Sequence, residues 1–137
     1  MISKSAIKML EIHSFASSAC RIYPCKGATW AVTFRDVKMR CSLLDLAILP
    51  IGAYAPRWFM KDQHIDPTEA VQIMLDCGAA QALGVHWGTF SLTDESRMAP
   101  KNSLLLELAQ RGLPDTSFIA LEPGEIWSKK RELAQEN

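Results

Sequence analysis

His86 closes an apolar run, "AQALGVHW" (80–87), and a glycine-containing loop follows it at once. Loops held at strand ends by a rigid sheet are where reactive groups collect. A neutral imidazole in such a place is a good ligand for zinc or iron. Spacing alone leaves two readings of His86 open, a metal ligand or a core histidine with one hydrogen bond, because a lone histidine does not specify a metal. His64 stands two residues ahead of a helix start at Asp66, next to the partial positive charge of a helix N-terminus. It reads either as a neutral group near a bound anion or as a surface residue on a loop.

Tyr54, Arg57, Trp58 and Phe59 crowd the connection ahead of His64. Arg57 offers phosphate a planar fork of donors. Trp58 and Phe59 suit the wall of an acyl or sugar pocket, or else they only cover the end of the core. Asp45 interrupts an apolar run, so it needs a hydrogen-bond partner of its own. It is not assigned as a ligand. The chain has no glycine-rich phosphate loop, no G-x-S-x-G elbow and no H-E-x-x-H pair.

Several elements must position these groups. "LLDLAILPI" (43–51) predicts a strand buried on both faces, ended by Pro50 and Gly52. The stretch 53–64 then predicts a loop. "DPTEAVQIMLDCG" (66–78) predicts a helix, with Asp66 as N-cap, Pro67 in the first position, Glu69 completing a capping box and Gly78 as the stop. Its apolar stripe is Ala70, Val71, Met74 and Leu75. A strand at 80–87, a loop at 88–100 and a helix at 101–111 follow, the helix facing the core with Leu104, Leu105, Leu108 and Ala109 and stopping at Gly112. "SFIAL" (117–121) predicts a last strand, and Pro123-Gly124 the centre of a type II turn. The β-α-β-α-β order argues for an α/β fold. Upstream, 29–34 reads as a strand and 6–16 admits a helix.

Composition narrows the function classes. The 137 residues suit one domain with one core. Fifteen basic and fifteen acidic residues cancel, which argues against a nucleic-acid partner. No apolar run approaches the roughly 20 residues of a membrane span. Glu11 and His13 interrupt the N-terminal apolar stretch, so no signal peptide is expected. The expected location is cytoplasmic or peripheral to a membrane. Cys20, Cys25, Cys41 and Cys77 lack the repeated short spacing of a zinc site and read as free thiols.

Residues 45–95, with "PIGAYAPRWFM", "QHIDPTEA" and "HWGTF" in order, resemble one metallo-β-lactamase-fold group. That group contains the N-acyl-phosphatidylethanolamine-hydrolysing phospholipase D and its bacterial relatives. "IALEPGEIW" (119–127) matches its typical ending. The resemblance spans about 43–127 and implies the C-terminal half of an αββα sandwich. It also implies two metal ions, usually zinc, whose bridging water attacks a phosphodiester, ester or lactone. By this resemblance His86 is a metal ligand and His64 a second-shell or substrate-contacting residue. Tyr54, Arg57 and Trp58 would line the substrate site, which in the family takes a phospholipid-like or other ester or lactone substrate.

The departures are as informative. The family's H-x-H-x-D-H run is absent, and the histidines are His13, His64 and His86 alone. Asp36 lacks the surroundings of the family's metal-bridging aspartate. Three parts are therefore expected: an unmatched segment 1–42, the hydrolase-like part 43–127, and a polar tail 128–137. The expected product is a C-terminal fragment, truncated or misassembled and inactive alone, since a catalytic zinc takes three protein ligands and a water. The alternative is a non-catalytic remnant or interaction module that self-associates through exposed core.

Overall fold

A computed structural model of the chain describes residues 9–11, 34, 38–39 and 44–128. Four strands, β1 (Met9–Glu11), β2 (Leu46–Pro50), β3 (Ala82–Val85) and β4 (Phe118–Ala120), form one parallel sheet in that order. Among the described residues, three helices with printed bounds follow β2: α1 (Arg57–Met60), α2 (Pro67–Cys77) and α3 (Ala99–Gln110). A 3₁₀ turn at Asp115–Ser117 leads into β4.

Parallel neighbours need a crossover, and crossovers are right-handed. Because β2, β3 and β4 are laid down in one direction across the sheet, α2 and α3 fall on the same face. They pack against each other there. The register Ala47↔Ala82↔Phe118 and Leu49↔Gly84↔Ala120 defines the sheet face toward those helices. Ala47, Leu49, Ala82, Phe118 and Ala120 from that face join Val71, Met74, Leu104 and Leu108 in the core. The opposite row, Ile48↔Leu83↔Ile119, is only half-buried.

β2 tolerates Pro50 for a geometric reason. The N–H groups of Ala47 and Ile51 point to β3, reaching Gln81 O at 2.9 Å and Val85 O at 3.0 Å. Position 50 therefore faces the β1 side, past the last described pair, Glu11↔Ile48. A missing donor there breaks none of the bonds to β3.

Helix α2 starts and stops where its local chemistry dictates. The Asp66 side chain accepts from Glu69 N at 2.9 Å, and Glu69 accepts from Asp66 N at 3.1 Å. Gly78 ends the helix in the left-handed region, φ +67°. Its buried stripe is Pro67, Ala70, Val71, Ile73, Met74 and Cys77. Leu75, assigned to the core from sequence, is instead 39% exposed. In α3 the buried positions are Pro100, Leu104 and Leu108, while Leu105 and Ala109 are exposed. The helix meets the core along a narrow i, i+4, i+8 line, so the adjacent apolar positions turn outward.

Other expectations are corrected. Within 6–16, Met9–Glu11 form β1 and not a helix, because pairing with β2 overrides a weak local pattern, while residues 6–8 and 12–16 lie outside the described residues. Within 29–34, residues 29–33 lie outside the described residues, and Phe34 is helical and packed against the core. The 53–64 loop contains a helical turn, α1, with the amides of Phe59 and Met60 bonded to Pro56 O. Helix α3 begins at Ala99 rather than 101, since Pro100 fits a first turn, where its missing N–H costs nothing. The Glu122–Glu125 turn closes with a 2.9 Å bond and Gly124 at φ +96°, as a type II turn requires. Residues 129–137 of the tail, and His13, Cys20, Cys25, Asp36 and Cys41, lie outside the described residues. Cys77 is a buried free thiol, and burial pushes its pKa up.

Candidate functional site

β2 and β3 are parallel neighbours, so the loops that follow them leave the same sheet edge. Both loops turn through the left-handed region at once, Ala53 at φ +61° and His86 at φ +60°. That conformation is unusual for non-glycine residues and clusters at functional sites. Between them, Gly52 packs so closely that an added Cβ would collide with the His86 carbonyl oxygen and lie 3.0 Å from Trp87 Cβ.

The turn throws His86 outward. It is exposed, which removes the core-histidine reading. Its ring stacks on His64, with centroids 5.3 Å apart and planes 19° from parallel. The two histidines thus meet at one edge, well inside the roughly 10 Å expected of groups around one small site. A shallow cavity beside them is lined by Gly52, Ala53, His86, Trp87, Glu95 and Arg97. An open cleft continues along Trp87, Thr89, Phe90 and Leu92.

Arg57 is engaged within the protein. Its Nη1 donates to His64 O at 2.7 Å, its Nη2 to Glu69 Oε2 at 2.9 Å, and its Nε lies 3.4 Å from Asp66 Oδ2. It ties α1 to the capping box of α2 and fixes the backbone of His64. Trp58 is 86% exposed and meets Phe59 edge to face at 5.7 Å. Tyr54 is half-buried. Trp87 packs against the core, with Lys101 Nζ 5.9 Å from its ring centre, and Lys101 also pairs with Glu122 at 2.7 Å.

Glu95 was not singled out from sequence. Its two carboxylate oxygens accept from Ala53 N at 2.6 Å and Ala55 N at 2.9 Å. Burial opposes its ionisation. Hydrogen bonds from the Thr93 side chain and from the Ala55, Glu95 and Ala53 amides outweigh that, and its pKa falls below the ordinary value.

Burial, and then the neighbouring His86, hold the His64 pKa below its ordinary 6.5, with Glu95 pulling the other way. The unfolded chain therefore binds more protons than the folded one between the lowered value and about 6.5, so stability rises with pH across that window. Thermal melts from pH 7.5 to 5.5 are expected to show a falling midpoint, and His64→Gln a flatter profile. An unchanged profile in the variant would mean that another group titrates.

Among the described residues, no group of three or more His, Cys, Asp or Glu side chains could hold a metal ion. Among the described residues the donor set at this edge is two imidazoles, plus a carboxylate that already accepts from two backbone amides. That does not fit a catalytic zinc, which needs three protein ligands.

Residues 26–87 match the family described as a beta-lactamase superfamily domain. The N-acyl-phosphatidylethanolamine-hydrolyzing phospholipase D 1 of Caenorhabditis elegans is 44% identical over 98 residues, 70% of this chain and 28% of that protein. The chain is similar to that phospholipase over part of its length. The mitochondrial N-acyl-phosphatidylethanolamine-hydrolyzing phospholipase D of Saccharomyces cerevisiae is 44% identical over 73 residues, 53% of this chain and 16% of that protein. An uncharacterized protein of Mycobacterium tuberculosis is 44% identical over 64 residues, 44% of this chain and 17% of its own. The chain thus spans less than a third of the length of these relatives. The superfamily match begins at residue 26, ahead of Leu43, and takes in the loop after β2 as far as Trp87. Among the described residues no helix is long and apolar enough to cross a membrane.

Proposed function

We propose that this chain is the C-terminal part of an αββα metallo-β-lactamase-fold hydrolase, β-α-β-α-β in its own order, and that it is catalytically incomplete by itself. The intact domain would cleave a phosphodiester, ester or lactone, with an N-acyl-phosphatidylethanolamine-like phospholipid as the leading substrate class, using two zinc ions. His86 would be the one zinc ligand supplied from this part. His64, kept neutral by its surroundings, would contact substrate or orient His86, and Tyr54 and Trp58 would border the substrate. The observation carrying this reading is the stacking of His64 on His86 at the sheet edge. Such a protein would reside in the cytoplasm or at a membrane surface.

The purified 137-residue chain is expected to lose added zinc on dialysis. It is also expected not to hydrolyse N-acyl-phosphatidylethanolamine or a nitrophenyl ester above the rate of buffer with zinc. Metal analysis and product assay check this. Retention of stoichiometric zinc together with turnover would refute catalytic incompleteness.

A second reading, an interaction module, is favoured by one observation. Trp58, Phe59, Phe90, Leu92 and Ile126 are exposed, all in connections that follow strands. Surfaces of this kind mark contacts with other molecules. Self-association in analytical ultracentrifugation supports it, and a monodisperse monomer counts against it.

A further inference from the structure

We propose that Glu95 is the positioning residue of this site: its carboxylate clamps the loop after β2 to the loop after β3, and so sets His64 over His86. The inference rests on the reading of the two histidines as a site, but its readout is ring geometry and not turnover.

The clamp is specific in its geometry. Oε1 accepts from Ala53 N at 2.6 Å and Oε2 from Ala55 N at 2.9 Å, across 42 and 40 residues of chain. Bonds from backbone amides to an ionised carboxylate are shorter and stronger than neutral ones. Ala53 sits at φ +61°, a conformation that disfavours an alanine and must be held by its surroundings. Nearby, Asp94 N lies 3.4 Å from Ala55 O, so the two loops are joined through both the N–H and the carbonyl of Ala55.

From the clamp, fixed contacts lead to His64. Ala55 precedes Pro56, whose carbonyl accepts the first bonds of α1. Arg57, the first residue of α1, donates to His64 O at 2.7 Å. On the other side, the bare Gly52 lets the His86 carbonyl approach the same loop. Releasing Ala53 and Ala55 therefore frees the segment that carries His64 from the one that carries His86.

A glutamine keeps the size of the side chain but turns an amide N–H₂ toward one of the two backbone donors. Proton NMR of the 137-residue chain is expected to show a contact between the His64 and His86 ring protons, and amide protons of Ala53 and Ala55 shifted downfield. Glu95→Gln is expected to lose the ring contact and move both amide signals upfield. Leu108→Ala, in the core, should lower the melting temperature and keep the ring contact. If Glu95→Gln lowers the melting temperature but keeps the ring contact, as Leu108→Ala should, Glu95 is structural only and the proposal fails. Should Glu95→Gln not fold, Glu95→Asp carries the test. It keeps the charge but is one methylene too short to span both amides. A weakened ring contact supports the clamp, and an unchanged one overturns it.

Discussion

Gly52→Ala is expected to destabilise the chain by about 3 kcal/mol, the upper part of the range for overpacking. The size follows from what the new methyl group meets. It would collide with the His86 carbonyl oxygen and press on Trp87 Cβ and Cα at 3.0 and 3.1 Å. These are backbone and near-backbone atoms, and they cannot rotate away. Relief requires the loops after β2 and β3 to separate, which would also disturb the His64–His86 stacking. Gly84→Ala gives the contrast. Its nearest atom is Ile51 Cδ1 at 2.7 Å, the far end of a side chain and not backbone. Its expected cost is smaller, about 1–2 kcal/mol. Urea melts of both variants measure the difference. Equal costs would mean that the close approach of the two loops does not govern Gly52.

Phe118→Ala is expected to cost about 3–5 kcal/mol, as large aromatic truncations in packed cores do. Phe118 is 1% exposed and is the largest fully buried side chain among the described residues. It lies on β4, in register with Ala82 and Ala47, two small residues over which a ring can spread. Truncation leaves a void between the sheet and the helices that alanine neighbours cannot fill. Domains of this size are stable by only about 5–15 kcal/mol, so the variant should melt far below the parent or fail to fold. Leu105→Ala is the control, since its side chain faces outward and its cost should stay within about 0.5 kcal/mol. If the two variants melt together, the core does not centre on Phe118.

Much of the fold could be read from the chain because its signals are local. Asp66, Pro67 and Glu69 cap α2 through bonds spanning three residues, and Gly78 ends it with its own backbone freedom. Such chemistry is complete in the sequence. The apolar run at 43–51 likewise marked a strand buried on both faces, and Pro50 marked its end. From strand-helix-strand connectivity alone, β2 and β3 had to be parallel, so His86 and the loop holding His64 had to share an edge.

The rest depended on contacts that no local pattern encodes. Arg57 reads as a phosphate fork, and the structure adds bonds from it to His64 O and Glu69 and an ion pair with Asp66, which only the path of α1 brings within reach. Leu75 and Leu105 fit a helical stripe, yet the angle at which α2 and α3 meet the sheet leaves them outside. Strand β1 exists because β2 offers it an edge. Glu95 looked like one more acidic loop residue. Its role arises when two chain segments 40 residues apart converge, so that one carboxylate meets two amides. Sequence determined the capped helix, the buried strand and the shared edge, since short-range bonds and chain connectivity suffice for them. Tertiary structure decided which polar groups are free at that edge, because hydrogen-bond partners distant in sequence are chosen only when the sheet closes.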